Sequence, residues 1–257
     1  MFKRFIYGLL TASLFMTSLS QAHVIGGYKA CKVDLHHELH LDGQGVQIID
    51  AEGRKAIIDA KKGLVIEDKP IHLSAHQQQL LQQYRQHLNS AIPKVKEVGQ
   101  SGVALANEVI DEVSTKFNNT HAFDNVRQSV SDFYNKLEQR YHHNGEWVFK
   151  PKALSAMHDN WQKDFADAKR VFNAEFFASA FTLLQQKMST DEGINFTELQ
   201  KQLAELKGTV RQKLKSHSAE ITKKAQGYCD DMDKLAKEER SLVETIPELQ
   251  NYQLFNI

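Results

Sequence analysis

The feature that most constrains this chain is a change of hydrophobic period at Ser74. Before it, apolar residues recur at every second position; after it, they recur at steps of three and four. Val33, Leu35, His37, Leu39 and Leu41 alternate with Lys32, Asp34, His36, Glu38, His40 and Asp42, the pattern of a strand that buries one face. Short β-rich runs follow at Val46-Gln47-Ile48-Ile49, Ala56-Ile57-Ile58, Leu64-Val65-Ile66 and Ile71-His72-Leu73. Between them Asp42-Gly43, Glu52-Gly53, Lys62-Gly63 and Asp68-Lys69-Pro70 supply turn chemistry. The stretch predicts an antiparallel meander of four or five short strands. A sheet this thin needs a helical layer against its apolar face.

That layer is written in the rest of the chain. Ser74 suits a helix N-cap, and Leu80, Leu81, Tyr84 and Leu88 then fall on one face. Pro93 suits the first turn of a second helix carrying Val95, Val98, Gly102, Leu105, Val109, Val113 and Phe117. Asn118-Asn119-Thr120 breaks the run, and Phe123, Val126, Val130, Phe133, Leu137 and Tyr141 resume it. After a turn at Asn144-Gly145, Trp147-Val148-Phe149 reads as one more short strand. The longest stripe runs through Leu154, Met157, Trp161, Phe165, Phe172, Phe176, Phe181 and Met188, a helix of roughly 50 Å at 1.5 Å per residue. Thr190-Asp191-Glu192-Gly193 ends it. A final stripe follows from Phe196 to Leu235 and includes Tyr228 and Cys229. The expected fold is α+β: a small N-terminal antiparallel β-meander over residues 23–73, packed on long antiparallel helical hairpins with coiled-coil-like packing over 74–245, and an irregular tail over 246–257.

Residues 1–22 read as an address. Lys3 and Arg4 precede a mostly apolar run over residues 5–19, and Ser20-Gln21-Ala22 places small residues where a signal peptidase reads. The run is about 15 residues, short of the roughly 20 that a spanning helix needs. Cleavage after Ala22 and export are expected, with no membrane span afterwards and no cysteine at the cut for a lipid. Basic and acidic residues number 32 each, so no general field for nucleic acid exists. Cys31 and Cys229 are the only cysteines. In an oxidising compartment the pair reads most simply as one disulfide, worth about 5 kcal/mol on the chain-entropy view of so long a loop. Two free thiols in a redox or metal site is the competing reading, without a C-x-x-C spacing behind it.

The segment His36-His37-Glu38-Leu39-His40 lacks the H-E-x-x-H spacing of zinc proteases. On a strand, Asp34, His36, Glu38 and His40 share one face, a donor set suited to zinc or copper. The same face also reads as the solvent side of an amphipathic strand, where neighbours stand nearly 7 Å apart. Cleavage after Ala22 would expose His23, whose terminal amine and imidazole together resemble a copper chelate. His142-His143 is expected at a helix end, where an imidazolium meets the dipole. Gly99-Gln100-Ser101-Gly102 suits close helix packing. The phenylalanine stripe from Phe165 to Phe181 is core, or, if one side is open, an apolar groove. No G-x-S-x-G occurs, and nothing names a nucleophile, acid or base. No cofactor is expected.

Taken in order, the features resemble the YggN-like family of gamma-proteobacterial periplasmic proteins, a domain of unknown function. The matching points are the leader, Cys31-Lys32-Val33, glycine-punctuated strands at Val46-Gln47-Ile48 and Gly63-Leu64-Val65, and a glutamine-rich helix running into Ile92-Pro93. Gly145-Glu146-Trp147-Val148-Phe149 and Cys229 complete them. The resemblance implies a periplasmic location and a disulfide, and carries no catalytic residue. The functional expectation is a non-enzymatic interaction or chaperone-like factor of the cell envelope, meeting a protein or envelope partner through amphipathic helices. The alternative is a zinc or copper module on the Asp34, His36, Glu38 and His40 face.

Overall fold

The computed structural model describes residues 30–116, 121, 123–189 and 196–256. The leader, His23 and the breaks expected at 118–120 and 190–193 lie outside the described residues.

The chain opens with β1 (Asp34–Leu35) and continues through β2 (Glu38–Leu41), β3 (Val46–Ile49), β4 (Lys55–Asp59), β5 (Gly63–Ile66) and β6 (Lys69–Pro70). Strands β2 to β6 form an antiparallel meander. Its register aligns Leu39 with Ile48, Leu41 with Val46, Ile48 with Ala56 and Ile58 with Leu64. These residues make one buried face, as their alternation requires. β1 does not continue β2: the chain bends at His36–His37 and β1 leaves the main sheet.

Helix α1 (Ala75–Asn89) lies on that face, burying Leu81, Tyr84 and Leu88. Ser74 caps it. Its Oγ accepts from Gln77 N–H at 3.3 Å while Gln77 Oε1 accepts from Ser74 N–H at 2.9 Å, a reciprocal capping box. The glutamine-rich surface is structural: Gln77 Nε2 donates to the carbonyl of Thr245 at 2.7 Å, and Gln82 Nε2 donates to that of Asp59 at 2.9 Å.

Helices α2 (Ala91–Lys116) and α3 (Asp124–Gln139) lead into the hairpin β7 (His142–His143) and β8 (Glu146–Phe149). β8 pairs with the free edge of β2, aligning Leu39 with Phe149 and Leu41 with Trp147. The sheet order is therefore β6-β5-β4-β3-β2-β8-β7. His142 and His143 sit on this exposed edge strand instead of a helix end, and His142 stacks on Trp147 at 5.2 Å.

Helices α4 (Ala153–Ser189) and α5 (Phe196–Thr245) complete the body. α5, with 50 residues, spans about 75 Å. α2 packs along α5, and α3 along α4. Two cores result. The proximal one joins the sheet, α1 and the sheet-side ends of α4 and α5. The distal one is helical, around Val109, Ile110, Phe123, Val126, Phe176 and Leu206.

Residues 246–256 differ from the irregular tail expected. Pro247–Tyr252 form a 3-10 helix, and β9 (Phe255–Asn256) pairs antiparallel with β1. Ile246, Leu249, Tyr252, Leu254 and Phe255 are buried in the proximal core. No local period announces this, because the order comes from distant partners and not from the segment itself. Cys31 and Cys229, 198 residues apart, are joined with Cα atoms 4.8 Å apart. Cys229 is buried, and Cys31 and Tyr228 pack against the proximal core.

Candidate functional site

The residues expected to bind a metal are drawn apart. The bend after β1 turns Asp34 toward α4, where its carboxylate accepts from Leu154 N–H at 2.9 Å and from Ser155 N–H at 3.3 Å. His36 is exposed, its ring 4.5 Å from that of His37. His37 belongs to the interior, where burial holds its imidazole below the ordinary value. Glu38 and His40 keep a common face but are committed elsewhere. Glu38 accepts from Lys150 at 2.6 Å, and the His40 ring nitrogens face Glu38 at 2.7 Å and Glu146 at 3.1 Å. Burial raises the Glu38 carboxyl, but Lys150 and His40 bring it below the usual range. Among the described residues no group of three or more His, Cys, Asp or Glu side chains converges on a metal position. The expected zinc or copper set is thus dispersed into a helix cap, an ion-pair cluster and one exposed imidazole.

The phenylalanine stripe divides as well. Phe176 is fully buried, stacked 4.9 Å from Phe123, and belongs to the distal core, whereas Phe181 is 44% exposed. An open apolar space lies elsewhere, between the two cores. It is a cavity of about 160 Å³, partly open to solvent, lined by α2, α3, α4 and α5 beneath β8.

Each wall comes from a stripe that the sequence assigns to core. Val98 projects from α2, Leu137 from α3, Tyr141 from the turn after α3, Met157 from α4 and Tyr228 from α5, and Trp147 closes the sheet side. The disulfide forms part of the lining. Gly99, Thr222 and Ala225 line the space with little or no side chain to fill it. Gly99 also admits Tyr134: a Cβ there would stand 2.8 Å from the tyrosine ring. Of the two glycines in the Gly99-Gln100-Ser101-Gly102 run, Gly99 is thus the one that close packing requires; a Cβ on Gly102 would meet nothing within 4 Å.

The lining is mainly apolar, with His158 and Asn160 of α4 and Thr222 of α5 as polar members. Burial pushes the hydroxyls of Tyr228, Tyr141 and Tyr134 above the ordinary tyrosine value, so all three stay protonated. The charged groups that touch the space are paired. Lys96 meets Glu138 at 3.0 Å and lies 5.6 Å above the Trp147 ring, and Arg140 meets Asp164 at 2.7 Å. Tyr134 and Ala225 escaped the sequence reading. A glycine, a threonine and an alanine at one level of neighbouring stripes is the signal that would have pointed to them.

The fold and this space define a class: an α+β protein whose short sheet and long helices line a partly open apolar cavity. The chain belongs to a family of proteins of unknown function (DUF2884), matched over residues 31–255, a span that holds both cysteines and every residue lining the cavity. No curated protein and no solved structure matches it. Among the described residues no helix is long and apolar enough to cross a membrane.

Proposed function

We propose that this chain is an exported, non-enzymatic binding protein of the cell envelope that holds apolar partners in the manner of a chaperone. The observation that carries the reading is the largely apolar, aromatic-walled cavity between the two cores. Catalysis needs polar groups aimed at a reacting atom, whereas this wall offers an apolar surface to a guest. Export is supported by the leader pattern of residues 1–22 and by the Cys31–Cys229 bond, since disulfides persist in oxidising compartments. The resemblance to the YggN-like proteins favours the periplasm of a gamma-proteobacterium.

The test is a holdase assay with the chain from His23 onward and a chemically denatured client. Equimolar protein is expected to slow the rise of light scattering severalfold, with no nucleotide present. Client aggregation that proceeds at its unassisted rate across a tenfold range of protein would end this reading.

A further inference from the structure

Size, wall chemistry and rim charge together define what the cavity can take. An engineered apolar cavity of about 150 Å³ in another protein stays dry and admits benzene. The present one, at about 160 Å³ and partly open, has room for one ring or a group of similar bulk inside it, so anything longer would have to extend into solvent. Tyr141, Trp147 and Tyr228 offer ring faces and edges, and Met157 supplies a polarisable side chain that adapts to a guest. The rim excludes an anionic headgroup. The lysine and arginine touching the space, Lys96 and Arg140, are already paired with Glu138 and Asp164, so a carboxylate or phosphate seeking either would have to displace a formed ion pair.

We infer that the cavity is a specific site for a single uncharged aromatic ring. The ring comes either from a free aromatic compound or from a phenylalanine-type side chain of an unfolded segment. In the second case the inference rests on the holding function proposed above and names the side chain held.

Binding of fluorobenzene to the disulfide-intact protein, followed by fluorine NMR, tests the site directly. Saturable binding is expected, weakened at least tenfold by Ala225→Phe, which places a ring in the space, at unchanged circular dichroism. Should Ala225→Phe fail to fold, Ala225→Leu fills less volume and is expected to weaken binding severalfold. Displacement by an uncharged serine-glycine peptide with one phenylalanine, but not by its alanine counterpart, identifies a polypeptide source. Displacement by toluene alone identifies a small-molecule site, supports the ring assignment and counts against the holding function. No saturable binding, or binding equal in wild type and Ala225→Leu, overturns the inference. Holdase activity that persists in that event leaves the proposed function to another surface.

Discussion

Glu239 is a carboxylate only 4% exposed, in the middle of the proximal core. Its Oε1 accepts from the Tyr84 hydroxyl and from Leu254 N–H, both at 2.7 Å, and its Oε2 accepts from Phe255 N–H at 2.9 Å. Burial drives the carboxyl up and the three donors draw it back, leaving it above the ordinary 4.5. The folded state therefore holds this proton more tightly than the unfolded chain. The resulting stability is fully present below pH 4.5 and is lost as pH rises through the elevated value. Glu239→Gln removes that slope and sets an amide N–H₂ against a backbone or hydroxyl donor, at a cost of about 1–3 kcal/mol. Urea unfolding of both proteins between acid and neutral pH is expected to give a stability difference that narrows as pH rises. A pH-independent difference would place the titration elsewhere. Nothing in the run Lys237-Glu238-Glu239-Arg240 sets Glu239 apart, since the groups that bind it come from α1 and from residues 254–255.

Among the elements, α4 begins under control of a strand far from it in sequence. Asp34 on β1 accepts from the second and third N–H groups of the helix, where free donors and the dipole favour a negative charge. Asp34→Ala is expected to cost about 1–2 kcal/mol, read as a lower melting temperature with the disulfide intact. Unchanged melting would mean that water satisfies this helix start equally well. The strands from β2 to β5, β8 and the helix stripes were legible because each is amphipathic by itself: a period fixes which face is buried. The last strand of the meander was misplaced: Lys69–Pro70, expected as a turn, forms β6 with both residues exposed, and residues 71–73, expected as a strand, form none. β9 was not legible, because Phe255–Asn256 has no period and gains its order from β1 and Glu239. The residues expected as a metal set are separated for a related reason. A period of two places Asp34 and Glu38 on one face only while the strand stays straight, and the bend at His36–His37 ends that condition. The cavity was hidden more deeply, since a stripe facing a void and a stripe facing a neighbour have the same spacing.

Across the whole molecule, the Cys31–Cys229 bond fastens the lead into β1 to α5 beside the cavity. The double variant Cys31→Ser, Cys229→Ser is expected to lose about 2–5 kcal/mol of stability. Its far-ultraviolet helical signal should persist at moderate temperature, because the distal core has its own apolar contacts. Simultaneous collapse of the helical signal and of stability at ambient temperature would mean that the two cores form one cooperative unit. The pairing of β1 with β9, bonded across 222 residues from Asp34 to Asn256, has a consequence for how the chain is made. A chain made from its amino end has β1 long before β9, so the sheet-side core lacks its last strand until the residues around Phe255 arrive. Closing so distant a pair costs loop entropy before any contact repays it, which makes this seal a slow step of folding.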